Sequence, residues 1–154
     1  MEHLDPPDPL IWDERRLWFE ERQHAYGLAG TRGRPSEQAT ALLIDLQAAF
    51  CVGAWPTVVI LAGAIVEMQA EESKERRPAP ARDLVWLRGL RNALLHEDRG
   101  KPVLTVEDQW TGRQEWERHA RRAVEIVFRV SYGSRAEAGE TTGPGLEESG
   151  EDNG

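Results

Sequence analysis

The sequence predicts an all-α protein, a bundle of about five helices. Three observations carry that reading. Apolar residues recur three and four positions apart over five segments. No segment alternates with the two-residue period of a strand. Glycine and proline separate the segments, and capping residues stand where several of them begin. With 154 residues, 40% of them hydrophobic and 30% charged, the chain has the size and composition of one ordinary globular domain. We expect a helical domain over 1–133 and an acidic, disordered tail over 134–154.

Asp8-Pro9 reads as a cap with proline in the first turn, opening a helix through IWDERRLWFEERQHAYGL. Its expected apolar positions are Leu10, Ile11, Leu17, Trp18, Ala25 and Leu28. GTRGRP breaks this helix, and Ser36 starts the next, with Ala39, Leu42, Leu43, Leu46, Ala49 and Phe50 on one side. VGAWP interrupts again. The third segment, TVVILAGAIVEMQAEE, is apolar almost all round and is expected at the centre. SKERRPAPAR reads as a proline-bearing linker, after which Asp83 is placed to cap a fourth helix. Thr105-Val-Glu-Asp108 resembles a capping box, with Asp where Glu or Gln is usual. It is expected to open the longest segment, with Gly112 as a weak point and Ala120, Ala123, Val124, Val127, Phe128 and Val130 facing inward. Beyond Gly133 there are too few apolar residues to offset the entropy of ordering.

No run is long and apolar enough for a membrane span, so no membrane partner is expected. MEHLDPPDPL lacks the basic start and apolar run of a secretory signal, which leads us to expect a cytoplasmic protein. Cys51 is the single cysteine, so the chain has no internal disulfide and no thiolate cluster; in AAFCVGAW it reads as a small buried residue. The net charge is −8, but six acidic residues lie between Glu137 and Gly154, leaving −2 on residues 1–136. Residues 74–101 carry eight basic and four acidic side chains. The chain is therefore acidic overall with one local anion-attracting stretch, not the charge profile of a general nucleic-acid binder.

That basic stretch contains LRGLRNALLHEDRG, residues 87–100. At about 100° per residue, Leu84, Leu87, Leu90 and Leu94 form one stripe. Arg88, Asn92 and His96 form an i, i+4, i+8 row on the other side, and Arg91 stands at the boundary. Two structural readings fit this geometry. His96 can simply end the helix, where a cation suits the negative end of the dipole. Arg91 can pair with Glu67, a carboxylate inside an otherwise apolar helix.

Arg91-Asn92-Ala93-Leu94-Leu95-His96 also resembles the R-x4-x6-H signature of the HEPN superfamily. The likeness extends over about residues 36–132, from a helix pair with an acid-bearing apolar member to a closing amphipathic helix. It implies an all-α protein that forms homodimers with facing motif helices, and metal-independent endoribonuclease activity without a cofactor. Carried onto this chain, His96 would be the base for a ribose 2′-OH, or the acid for the leaving oxygen. Arg91 would hold the phosphate in its fork, and Asn92 would orient one or the other. Arg88 is added as a substrate-binding cation from the helical wheel, and Glu67 as a supporting residue. Arg91 and His96 lie about 140° apart on one helix, so a composite site between two subunits is expected. RNA would be the substrate, and a toxin or defence role with a cognate antitoxin protein is part of the same implication.

Other readings keep different parts of this picture. The same fold without catalysis would be an interaction or nucleotide-binding module. Glu21 and His24 have the E-x-x-H spacing of di-iron bundles, but the second pair, Glu115 and His119, is four apart instead of three. The six tryptophans are expected mainly in packing, with Trp86 as an exposed interface residue; His24 and His119 are expected on charged surfaces. The tail's carboxylates could compete with RNA for the basic site, or simply solubilise the chain.

Overall fold

The computed structural model describes residues 4–30, 34–71 and 79–133. The expected tail over 134–154 and most of the linker after Glu71 lie outside the described residues. Among the described residues there are five α-helices and no strand: α1 Pro9–Ala29, α2 Glu37–Val52, α3 Trp55–Glu71, α4 Ala81–Leu95 and α5 Arg113–Tyr132. Element order and class agree with the sequence pattern.

Helix α3 is central, as its all-round apolar character predicts. It packs most extensively on α5 and also contacts α2 and α4, while α1 lies across α2 and α5. Val58, Val59, Ala62 and Ile65 from α3 meet Ala120, Ala123, Val124, Val127 and Phe128 from α5, all of them fully buried. Helix α2 adds Ala39, Leu43, Leu46 and Phe50. An aromatic cluster ties the layers together. Phe19 meets Phe128 edge-on at 5.0 Å, Phe50 stacks on Trp18 at 5.0 Å, and Trp55 meets Phe50 edge-on at 5.4 Å.

The local signals set the boundaries of α2. The Ser36 side chain accepts from Ala39 N–H, and the helix ends on Gly53 at φ +78°. Gly53 N–H reaches Phe50 O and Ala54 N–H reaches Ala49 O, a left-handed stop that favours glycine. Helix α1 opens as expected, with the Asp8 carboxylate accepting from Leu10 N–H.

Three expectations are corrected. In α1 the inward residue is Phe19, whereas Leu10, Leu17 and Leu28 are 80%, 48% and 75% exposed. These leucines lie about 180° from Phe19, so the real inner face is the one carrying Phe19, Arg15 and Tyr26. Counting apolar residues there misses the face because arginine stems and tyrosine rings do much of the covering. Asp83 does not cap α4: Pro80 occupies the cap, and Asp83 sits buried in the first turn facing α5. The Thr105–Asp108 box forms reciprocally, with Thr105 N–H donating to Asp108 Oδ2 at 2.7 Å and Asp108 N–H to Thr105 Oγ1 at 3.3 Å. It opens only a 3₁₀ turn, Glu107–Gln109, and α5 begins after Gly112, where the sequence showed its weak point.

Candidate functional site

Helix α4 offers two different faces. Its inner face lies over α3, where Gly63 creates a groove. A Cβ at Gly63 would stand 2.6 Å from Arg91 Cδ and 3.2 Å from Arg91 Cβ, so the arginine stem rests directly on the α3 backbone. That close approach aims the guanidinium at Glu67, one turn further along α3. Arg91 Nη1 donates to Glu67 Oε2 at 2.9 Å and Nη2 to Oε1 at 2.5 Å, a two-point fork. The pairing of Arg91 with Glu67 suggested by the sequence is therefore present. The Arg91 side chain is only 18% exposed, and its Nε is buried without a hydrogen-bond partner. Arg88 Nε stands 3.9 Å from Glu67 Oε1 on the solvent side of the pair. A cavity of about 40 Å³ lies against Gly63, Glu67, Arg88 and Arg91, room for little more than a water molecule.

The outer face carries Val85, Arg88, Gly89 and Asn92, all exposed. His96 ends the helix as its C-cap, with extended backbone at φ −123° and ψ 91°, and its N–H bonded to Asn92 O at 2.9 Å. Its imidazole is exposed, and among the described residues neither His96 nor the Asn92 amide has a side-chain hydrogen bond. The five residues singled out from the sequence thus divide. Arg91, Glu67 and Arg88 come together across α3 and α4, while Asn92 and His96 open to solvent.

A second polar cluster, missed from the sequence, joins α4 to α5. The Asp83 carboxylate accepts from Arg122 Nη2 at 2.9 Å and Arg129 Nη1 at 3.2 Å, and Arg129 reaches the Tyr26 hydroxyl at 3.5 Å. The Arg122 hydrogen bond, working against burial, holds the Asp83 carboxyl below the usual carboxylate range. Arg122 also covers the Trp86 ring at 4.0 Å, and His119 packs between Trp86 and Trp116. Trp86 and His119 are therefore half-buried rather than exposed as expected, and the exposed tryptophans are Trp12 and Trp110. The only sequence signal for this cluster was an acid in a first turn, which reads equally well as a cap.

Cys51 is buried, as expected, and burial raises its thiol pKa. Among the described residues no three His, Cys, Asp or Glu side chains gather in a metal-binding arrangement. No helix of the described residues is long and apolar enough to cross a membrane. A cleft of about 400 Å³ between α1, α2 and the end of α5 is lined by Gln23, Arg34, Thr40, Leu43, Ile44 and Tyr132, with Gln23 donating to the Tyr132 hydroxyl at 2.8 Å. Comparison with protein-family models, with curated protein sequences and with solved structures gives no match to this chain.

Proposed function

We propose that this chain is a HEPN-like, metal-independent endoribonuclease, acting as a toxin or defence component, whose site is completed when two copies bring their α4 outer faces together. The observation supporting this reading is that face itself. Asn92 and His96 lie on it without side-chain hydrogen-bond partners among the described residues, beside Gly89, where an added Cβ would meet nothing within 4 Å. His96 takes the 2′-OH proton of the RNA, the 2′-oxygen attacks phosphorus, the P–O5′ bond breaks, and the 5′-oxygen leaves with a proton from water. The products are a 2′,3′-cyclic phosphate and a 5′-hydroxyl. Arg91 and Arg88 supply positive charge for the phosphate oxygens, Asn92 orients a reacting group, and Glu67 positions Arg91. The test is incubation of the full chain with tRNA or total RNA in EDTA. Cyclic phosphate ends produced by the native chain and lost with His96→Ala support the reading; an unchanged rate with His96→Ala overturns it.

One observation favours a second reading, a non-catalytic HEPN-like interaction module. The Arg91 fork is already filled by Glu67, so a phosphate must compete with an intramolecular carboxylate. Such a module shows no salt-sensitive RNA binding, whereas a nuclease that grips phosphate does.

A further inference from the structure

An electropositive corner where α1, α2, α3 and α5 meet has no part in the α4 reading. Arg15 of α1 and Arg113, the first residue of α5, converge on the end of α2. Arg15 Nη1 donates to Cys51 O at 3.1 Å and Arg113 Nη2 to Gly53 O at 2.6 Å. These nitrogens stand 2.8 and 3.0 Å from the place a Cβ on Gly53 would occupy. Both guanidiniums cover the buried Trp55 ring, at 4.6 and 5.7 Å from its centre.

Two cations held so close would ordinarily bring a carboxylate with them. Among the described residues none stands within 4.0 Å of either guanidinium. Glu117, whose field reaches Arg113, is engaged by Arg121 at 2.6 and 2.9 Å. The backbone does not cancel the charge. The end of α2 contributes about half a negative charge, but α3 and α5 both begin here and contribute about half a positive charge each. Burial, and then the charge of Arg15, hold Arg113 below its ordinary pKa. Arg113 opens α5 without a side-chain cap, and the acid of that turn, Glu115, is engaged by Arg118. Arg113 Nη1 donates to Gln109 Oε1 at 3.3 Å, whereas Arg15 Nε and Nη2 and Arg113 Nε make no hydrogen bond among the described residues and are not among the buried unsatisfied atoms.

We propose that Arg15 and Arg113 form an anion site for a phosphate dianion, bound through the guanidinium N–H groups that the α2 carbonyls and Gln109 leave free. A dianion balances both cations, whereas a monocarboxylate leaves one uncompensated. Inorganic phosphate and the phosphomonoester of a nucleotide present the same oxygens.

The test uses the intact chain with ¹⁵N-labelled arginine, titrated with inorganic phosphate or with AMP against chloride of equal ionic strength. The Nε–Hε signals of Arg15 and Arg113 are expected to shift saturably. Tighter binding of AMP identifies a nucleotide source, and equal or weaker binding identifies free phosphate. Phosphate at about ten times its dissociation constant should raise Tm by about 3 °C. Arg113→Gln should remove that rise while Arg99→Ala, at a 93% exposed side chain, retains it. Absence of a saturable shift at both residues, or the same shift with chloride, overturns the proposal, and this readout needs no variant to fold.

Discussion

Glu67 of α3 and Arg91 of α4 form a two-point ion pair across the groove that Gly63 opens, with both carboxylate oxygens on both terminal guanidinium nitrogens. The fork geometry gives the pair direction as well as charge. Glu67 is 42% exposed, so solvent screening keeps its coupling modest, about 1 kcal/mol in a double-mutant cycle of Glu67→Gln and Arg91→Gln. If Arg91 serves RNA, Glu67→Gln releases a competitor and tightens RNA binding while weakening the fold. Filter binding and denaturant titration on the same preparation separate the two effects. Loss of RNA binding with Glu67→Gln would instead make the carboxylate a required positioning group.

The same groove sets the second prediction. Gly63→Ala places a methyl 2.6 Å from Arg91 Cδ and 3.2 Å from Arg91 Cβ. The side-chain end can move but its Cβ cannot without shifting α4. Overpacking of this kind costs about 1–3 kcal/mol, read as a lower urea midpoint with unchanged slope.

Asp83 sets a pH dependence. Its hydrogen bond from Arg122 lowers its folded-state pKa, so the unfolded chain takes up its proton first as pH falls. The stabilisation is complete above the ordinary carboxylate range, starts to fall within it, and is lost once pH drops through the lowered folded value. Asp83→Asn should cost about 2 kcal/mol near neutrality, because Arg122 and Arg129 lose their shared acceptor. The difference between native and variant chains should shrink on acidification. Urea midpoints across pH 3–7 (about the range in which carboxylates titrate) measure it.

The aromatic centre gives the largest stability effect. Phe128 is fully buried and touches Phe19, Tyr26 and Tyr132, joining α1 to α5. Phe128→Ala should cost about 3–5 kcal/mol, seen in thermal unfolding. Leu10→Ala, at an 80% exposed position opposite Phe19, should change stability by less than about 0.5 kcal/mol.

The contrast between Phe128 and Leu10 shows what the sequence carried. Helix number, the central place of α3 and the inner faces of α2 and α5 were legible because their aliphatic residues follow the helical period. The inner face of α1 was not, because Arg15 and Tyr26 share it with Phe19, and periodicity assigns such residues to solvent. The Glu67–Arg91 pair was legible as an acid in an apolar helix facing a boundary arginine. The Asp83 cluster and the Arg15–Arg113 corner join positions too far apart in sequence for spacing to reveal. Gly53 and Arg113 are 60 residues apart, and only the packing of α5 beside the end of α2 brings them together.

Gly89 links the monomer's stability to the proposed dimer and lets the two be measured separately. It lies in the middle of α4 on the exposed side, and an added Cβ would meet nothing within 4 Å. Within one chain nothing requires glycine there, although it costs the helix about 0.5–1 kcal/mol relative to alanine. Gly89→Ala should therefore raise stability by about that amount at concentrations where the chain is monomeric. Gly89→Trp keeps the helix and adds bulk between Val85 and Asn92, on the face where the proposed partner α4 would cross. In light scattering over a dilution series, Gly89→Trp should shift the chain toward monomer while its helical circular dichroism is retained. RNA cleavage should fall in parallel, since the composite site would no longer assemble. A Gly89→Trp chain that keeps the native association state and cleavage rate would place the dimer, and with it the composite site, on another surface.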